Sequence, residues 1–327
     1  MRDSGITKSD FSPAELTAAK SGTTLADLSH FGLIRLAGGD AQPFLHGQLS
    51  CDVTSLQPGR AQYGSYNTPQ GRMLASFLLW RDEHGYVMQL PRSLRESIRK
   101  RLSMHILRSK VKATDISDDH ALIGIYGARA EAILKSLFKE IPAAPLAMVT
   151  DQHTSLLRLD TSRFEIMAAP ERATPLWNAL NQDATPVSQT VWNWTDIKAG
   201  IPYITPATQE QFVPQMANLD LIGGVSFSKG CYPGQEIVAR MHFRGKLKQR
   251  MYLANVASEA APQPGDKLYS AGMGDQATGN VVNAAPSPDG GYDVLAVIRI
   301  DRVLQGSVHW KSLAGPPLEF LDLPYKL

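Results

Sequence analysis

Strand-like and helix-like apolar patterns follow one another irregularly along the first 245 residues, and helix-like patterns then fade. Residues 32–38 read as a short strand, after which Asp40 caps a helix through Phe44 and Leu45, with Pro43 in its first turn. Residues 61–66, 73–80 and 86–90 form three strand patterns, separated by Thr68-Pro69-Gln70-Gly71 and by His84-Gly85. Leu94, Ile98, Leu102 and Ile106 recur every four residues and define the apolar face of a helix. Its other face carries Arg92, Arg95, Arg99, Lys100, Arg101 and Arg108, which suits a solvated face or an anionic docking surface. Residues 122–126 read as a buried strand, 129–139 as a helix, 156–159 and 164–168 as paired strands, and 171–180 as a helix. Mixing without regular alternation argues for α+β layers and against a doubly wound parallel sheet. Beyond residue 245, short strands at 251–256, 267–270, 279–284, 292–300 and 307–310 are punctuated by Gly and Pro. That texture predicts a small all-β barrel or sandwich appended to the α+β part.

The 327 residues suffice for two or three domains. A net charge of +2 calls for neither nucleic acid nor membrane, so any electrostatic argument must be local. Residues 1–22 are polar and broken by Ser, Thr and Pro, and are expected to form a flexible lead-in. No stretch approaches about 18 uninterrupted apolar residues. Cys51 and Cys231 lie far apart with no CxxC or Cys/His metal spacing, so no disulfide is expected and a reducing, cytoplasmic setting is. Walker A, GxGxxG, HExxH and GxSxG patterns are absent, which disfavours most common enzyme classes.

One dense stretch remains, residues 211–250. Its centre reads Ser228-Lys229-Gly230-Cys231-Tyr232-Pro233-Gly234-Gln235-Glu236. Between 226 and 250, Lys229, Arg240, Arg244, Lys246, Lys248 and Arg250 face a single acid, Glu236. Cys231 lies between Lys229 and the expected start of a helix at Gln235, and both would favour a thiolate. Gly230 and Gly234 suit a tight, exposed loop. The plainer alternative is a cysteine that packs as a small hydrophobe. Residue chemistry leaves both open.

Lys229-Gly230-Cys231-Tyr232-x-Gly234-Gln235-Glu236, with Arg240 and Arg244-Gly245 behind it, resembles the signature of the YgfZ family. These are folate-binding relatives of the T-protein (aminomethyltransferase, GcvT) of the glycine cleavage system. Gln211-Phe212-x-Pro214-Gln215, Asn218-Leu219 and the stretch from Gly38-x-Asp40-Ala41 to Gly47-Gln48 also match. The resemblance implies a GcvT-like three-lobed ring of α+β subdomains with a C-terminal β-barrel. In that scheme 23–245 is the folate-binding region, divided into 23–118 with 195–245 and 119–194, and 246–327 is the barrel. It also implies tetrahydrofolate, or a polyglutamylated derivative, in the central hole. The implied role is support of iron–sulfur assembly or repair, including clients that methylthiolate tRNA. Its partners would then be iron–sulfur assembly proteins or client enzymes, with no membrane; the low overall charge and the lack of an RNA-recognition motif disfavour direct nucleic-acid binding.

On the matching positions, Cys231 is the functional thiolate or transient cluster ligand, with Lys229 and Arg240 beside it. Phe31, where the family usually has tryptophan, and Trp192 would wall the pteridine. Lys198, Tyr232, Gln235, Glu236 and Arg244 complete the implied folate set. Two departures stand out. Ala75 and Ser76 occupy the acidic positions of the T-protein, so aminomethyl transfer by that route lacks its proton-handling carboxylate. Lys198 replaces the pterin-reading glutamate of a Glu-Ala-Gly turn, and lysine only donates. Either folate is oriented differently, or its affinity is reduced, or Lys198 points elsewhere. Two other readings stay open, a one-carbon transferase using Cys231 and an RNA-binding module using the basic stretch.

Overall fold

Residues 73–80, Met-Leu-Ala-Ser-Phe-Leu-Leu-Trp, are buried without alternation, so their strand is covered on both faces. It sits within the first lobe of a computed structural model that describes residues 11–151, 154–274 and 276–327. In chain order this part holds α1 (Pro13–Ser21), β1 (Thr23–Asp27), β2 (Phe31–Ala37), α2 (Ala41–His46), β3 (Ala61–Asn67), β4 (Met73–Asp82), β5 (Gly85–Pro91), α3 (Arg92–Ile106) and β6 (Lys112–Asp115). The first sheet is antiparallel in the order β3-β4-β5-β2-β6. Helix α3 buries Leu94, Ile98 and Leu102 against it, as their spacing predicts.

Next come β7 (Ala121–Gly127), α4 (Ala130–Leu137), β8 (Met148–Asp151), β9 (Thr154–Arg158), β10 (Arg163–Ala168), α5 (Pro170–Leu180), β11 (Thr185–Val187) and α6 (Gln189–Lys198). The second sheet runs β11-β1-β7-β10-β9-β8, and only the β1–β11 pairing is parallel. Ile133 and Leu134 of α4 and Leu180 of α5 close its separate core. The last part holds α7 (Gln235–Phe243), β12 (Gln249–Val256), β13 (Lys267–Ser270), β14 (Gly279–Pro286), β15 (Tyr292–Arg299), α8 (Ile300–Gln305), β16 (Val308–Trp310) and β17 (Leu318–Leu321). Its sheet, β16-β13-β14-β15-β12-β17, is antiparallel and curls into a half-barrel whose edges approach at a His309–Pro317 bridge.

The α+β expectation holds, and four local readings need correction. The lead-in expected over 1–22 is helical at Pro13–Ser21, where Ser12 caps the Glu15 N–H and Glu15 accepts from the Ser188 N–H. Residues 1–10 of that lead-in lie outside the described residues. Thr23–Asp27 pairs with β7, so the start of the 23–118 segment belongs to the second sheet. Asp40 holds the N-cap position of α2 as expected, but its side chain makes no capping bond, because its carboxylate accepts from the Lys110 N–H at 2.7 Å. Helix α6 was not legible at all. Val191, Trp192, Trp194, Thr195, Asp196 and Ile197 are all buried, so it lacks the polar face that periodicity detects.

Residues 199–234 form no regular element, yet they bind the lobes together. Backbone groups without ladder partners must be paired in other ways. The Ser76 hydroxyl donates to the Pro202 carbonyl at 2.8 Å and accepts from the Ile204 N–H at 3.0 Å. Gln209 donates to Leu74 O, Gln215 to Val238 O, and Asn218 to Met251 O. No described helix is long and apolar enough to cross a membrane.

Candidate functional site

Helix α6 touches all three lobes, and its residues divide by face. Trp192, 1 % exposed, packs on Gly124 of β7, where a Cβ would stand 2.5 Å from the indole. Trp194 and Lys198, one turn apart, reach Asp293 of β15, at 2.8 Å through the indole N–H and 3.9 Å through the ammonium. Asn193, Asp196 and Ile197, at i, i+3 and i+4, face a cavity of about 180 Å³ between the lobes. His30 and Phe31 line its first-sheet side, Ile201 and Tyr203 its irregular side, and Asn283 its half-barrel side. The Phe31 and Tyr203 rings meet at 4.9 Å with a 55° tilt.

Two polar groups in this cavity have spare capacity. One Asp196 carboxylate oxygen accepts from Arg163 at 2.5 Å, and the other, Oδ2, is buried without a well-formed hydrogen bond, although the Trp192 indole, one turn earlier on α6, also acts on this carboxylate and lowers its pKa. Burial pushes the Asp196 carboxyl up to about 6, and the Arg163 guanidinium pulls it back. Arg163 also holds Asp160 at 2.6 Å, so the guanidinium stays paired whatever Asp196 binds. Neither ring nitrogen of His30 makes a well-formed hydrogen bond, although the Asn193 side chain approaches the ring closely enough to raise its pKa. Burial lowers its pKa to about 4, and Asp27 and then Asn193 offset this only in part, so the imidazole is neutral near pH 7. A neutral imidazole offers one donor and one acceptor.

Behind the cavity, Glu165 is fully buried and accepts from Gln89 at 3.0 Å. Burial raises its pKa from 4.5 to about 7. The unfolded chain therefore releases this proton first as pH rises. The stabilising contribution is complete below about pH 4.5 and lost as pH passes about 7. Glu165→Gln should consequently flatten the decline of Tm between pH 5 and 8, which thermal unfolding of both proteins across that range will measure. Parallel pH profiles would count against a buried proton at Glu165.

The second locale is the loop before α7. Cys231 is exposed there, whereas Cys51 is buried and its thiol pushed up to about 12 by burial. Gly234 has φ +80°, and a Cβ on it would meet Gly71 Cα at 2.4 Å and Thr68 O at 2.5 Å. Only glycine fits that close crossing over the β3–β4 turn. Helix α7 begins at Gln235, as expected.

Lys229 is not turned toward Cys231. Its ammonium donates to three carbonyls, those of His46, Leu49 at 2.6 Å and Cys51 at 3.0 Å. It also lies 4.9 Å from the centre of the Tyr232 ring. Burial lowers its pKa to about 8, while Cys51 and Asp52 raise it. The expectation of a lysine beside the thiolate is thus corrected: all three donors are spent on main chain.

The implied folate residues, together with Arg240 of the implied thiolate site, separate into two groups. Phe31 lines the cavity, whereas Trp192 is core and Tyr203 stands opposite Phe31 instead. Lys198 is half-exposed, lies outside the cavity lining and stands 3.9 Å from Asp293. Tyr232 is buried under Lys229, Gln235 is half-buried, and Glu236, Arg240 and Arg244 are exposed on and just after α7. None of these five lines the cavity. His30, Asn193, Asp196, Tyr203 and Asn283 escaped the sequence reading. Asp196 and Asn193 share a helix face, a signal that exists only once α6 is recognised.

The lobes, the curled last sheet and the α6 cavity define a GcvT-like protein. The GCVT N-terminal domain family matches residues 7–192. The glycine cleavage system aminomethyltransferase T from Bartonella henselae superposes with TM-score 0.78, covering 95% of this chain and 88% of that one, at 17% identity. Among curated proteins, the tRNA-modifying protein YgfZ of Sodalis glossinidius is 35% identical over 93% of each chain. Its namesake from Enterobacter sp. is 33% identical over 95% of this chain and 96% of its own. That from Shigella sonnei is 32% identical over 97% and 98%. The chain belongs to the YgfZ family.

Proposed function

We propose that this protein is a tetrahydrofolate-binding accessory factor for iron–sulfur cluster assembly or repair, supporting iron–sulfur enzymes that include tRNA-modifying ones. The observation that carries the folate half is the Asp196 oxygen without a well-formed hydrogen bond, in a cavity walled by Phe31 and Tyr203. A pterin head presents amino and ring N–H donors on one edge and flat apolar faces. A buried carboxylate acceptor between aromatic walls suits both features. About 180 Å³ suits that bicyclic head alone, because sites enclosing drug-sized ligands run to about 300–1,000 Å³. The aminobenzoyl-glutamate tail would extend outside. Asp196 would read the N–H edge, Phe31 and Tyr203 would hold the ring faces, and His30 would supply one more donor or acceptor. Bound tetrahydrofolate supplies a one-carbon carrier at N5 and N10. The test is calorimetric titration with 5-formyltetrahydrofolate; heat with one-to-one stoichiometry is expected, and its absence at millimolar ligand would reject folate.

The cluster half rests on Cys231, the exposed thiol of the two cysteines. Among the described residues no three His, Cys, Asp or Glu side chains gather as a metal site. A cluster ordinarily takes four ligands, so one touching Cys231 would draw the others from an assembly protein or client enzyme. Cys231→Ala should leave folding and folate binding intact and lower methylthiolation of tRNA in cells relying on that variant. Wild-type levels of the modified nucleoside would remove Cys231 from the role.

A further inference from the structure

The basic stretch after Cys231 does not act as one group. Of its six cations, Lys229 is spent on carbonyls, and Arg250 is locked onto Asp220 by two bonds of 2.7 and 2.9 Å. The other four, Arg240, Arg244, Lys246 and Lys248, are exposed, among the described residues none has a hydrogen-bond or ion-pair partner for its charged end, and the first three lie nearest the end of α7. These three follow one another along the last turn of α7 and the segment after it.

The end of α7 also carries two exposed rings, His242 and Phe243, backed by the half-buried Phe227, which packs on the core. Phe227 lies face to face with His242, centroids 3.7 Å apart and planes 14° apart. Phe243 stands edge-on to both, at 6.2 and 4.7 Å, and is 67% exposed. A large aromatic left this open beside unpaired cations offers flat π surface and phosphate-seeking charge together. An acidic protein surface would use the cations and leave the rings idle. Unpaired nucleotides use both, because every base has a π face and every linkage a phosphate.

We propose that the Phe227–His242–Phe243 stack with Arg240, Arg244 and Lys246 is a docking surface for an unpaired RNA strand. Low overall charge argues against nucleic-acid binding by the whole chain; it does not argue against a local platform. RNA is favoured over DNA because the similar curated proteins carry the name tRNA-modifying. The surface adjoins the Cys231 loop through α7 and takes no part in lining the cavity, so it stands apart from the folate reading.

Fluorescence anisotropy with a labelled single-stranded 12-mer RNA and the full chain tests this. Binding should weaken with salt, with a log–log slope of about −2 for three phosphate contacts. Phe243→Ala should weaken it by roughly fivefold or more, as loss of one stacked base predicts, and Phe243→Trp should retain it. Arg244→Ala should make the slope shallower. Both positions are exposed, and circular dichroism checks that the variants stay folded. Equal affinity of Phe243→Ala and wild type, equal binding of duplex RNA or of single-stranded DNA, or full competition by a poly-glutamate peptide would each overturn the proposal.

Discussion

Asp196→Asn is expected to lower tetrahydrofolate affinity by roughly tenfold to a hundredfold while the chain stays folded. The change keeps the side-chain shape and keeps an oxygen for the Arg163 guanidinium, now 2.5 Å away. It turns Oδ2, which lacks a well-formed hydrogen bond, into an N–H group facing the N–H edge of the pterin. Charge-assisted hydrogen bonds contribute about 1.5–3 kcal/mol, and 1.4 kcal/mol is tenfold in affinity. Folding should tolerate the change, since Asp160 still pairs Arg163 at 2.6 Å and a buried carboxylate is removed. A second readout is the pH profile. Because burial pushes Asp196 up to about 6, wild-type affinity should fall as pH drops through 6, and that of the variant should stay level. Calorimetry at pH 5.5 and 7.5 measures both effects. Equal constants for the two proteins at pH 7.5 would mean that Asp196 does not read the pterin.

Lys229→Met should destabilise the protein by about 3–5 kcal/mol. Methionine preserves most of the stem but strands the carbonyls of His46, Leu49 and Cys51, which lose their shared donor. Each buried acceptor left unsatisfied costs about 1–3 kcal/mol, partly offset where water reaches it. For a chain of this size the loss corresponds to roughly 4–7 °C in Tm. The loop that presents Cys231 should become sensitive to proteolysis as well. Cys231→Ala, on an exposed side chain, should shift Tm little. If Lys229→Met kept wild-type Tm but lost cellular function, the lysine would be serving the thiol and not the frame.

Elements with a polar side and an apolar side were legible in the sequence. Helix α3 and strands β12 and β13 fall within a few residues of where periodicity placed them, whereas β17 was not read. Nor was the helix at the centre. Helix α6 is apolar or buried nearly all round because three lobes surround it, and residues 199–234 follow the side chains of other segments. The candidate site shares this asymmetry. The glycine-bracketed Cys231 loop is continuous in sequence, so it could be singled out directly. The cavity draws His30, Asp196, Tyr203 and Asn283 from segments up to 253 residues apart, and no local pattern links them.

The sequence by itself determined the α+β class, the helix-poor last lobe and the family, because each is written in contiguous residues or in their period. Tertiary structure alone decided which charges remain free. Lys229 and Arg250 read as members of a basic stretch, yet burial and pairing commit them to carbonyls and to Asp220. Asp196 read as nothing, yet packing leaves one of its oxygens without a well-formed hydrogen bond in the cavity. A charge acts through what surrounds it, and those surroundings come from chain segments that meet only in the folded protein.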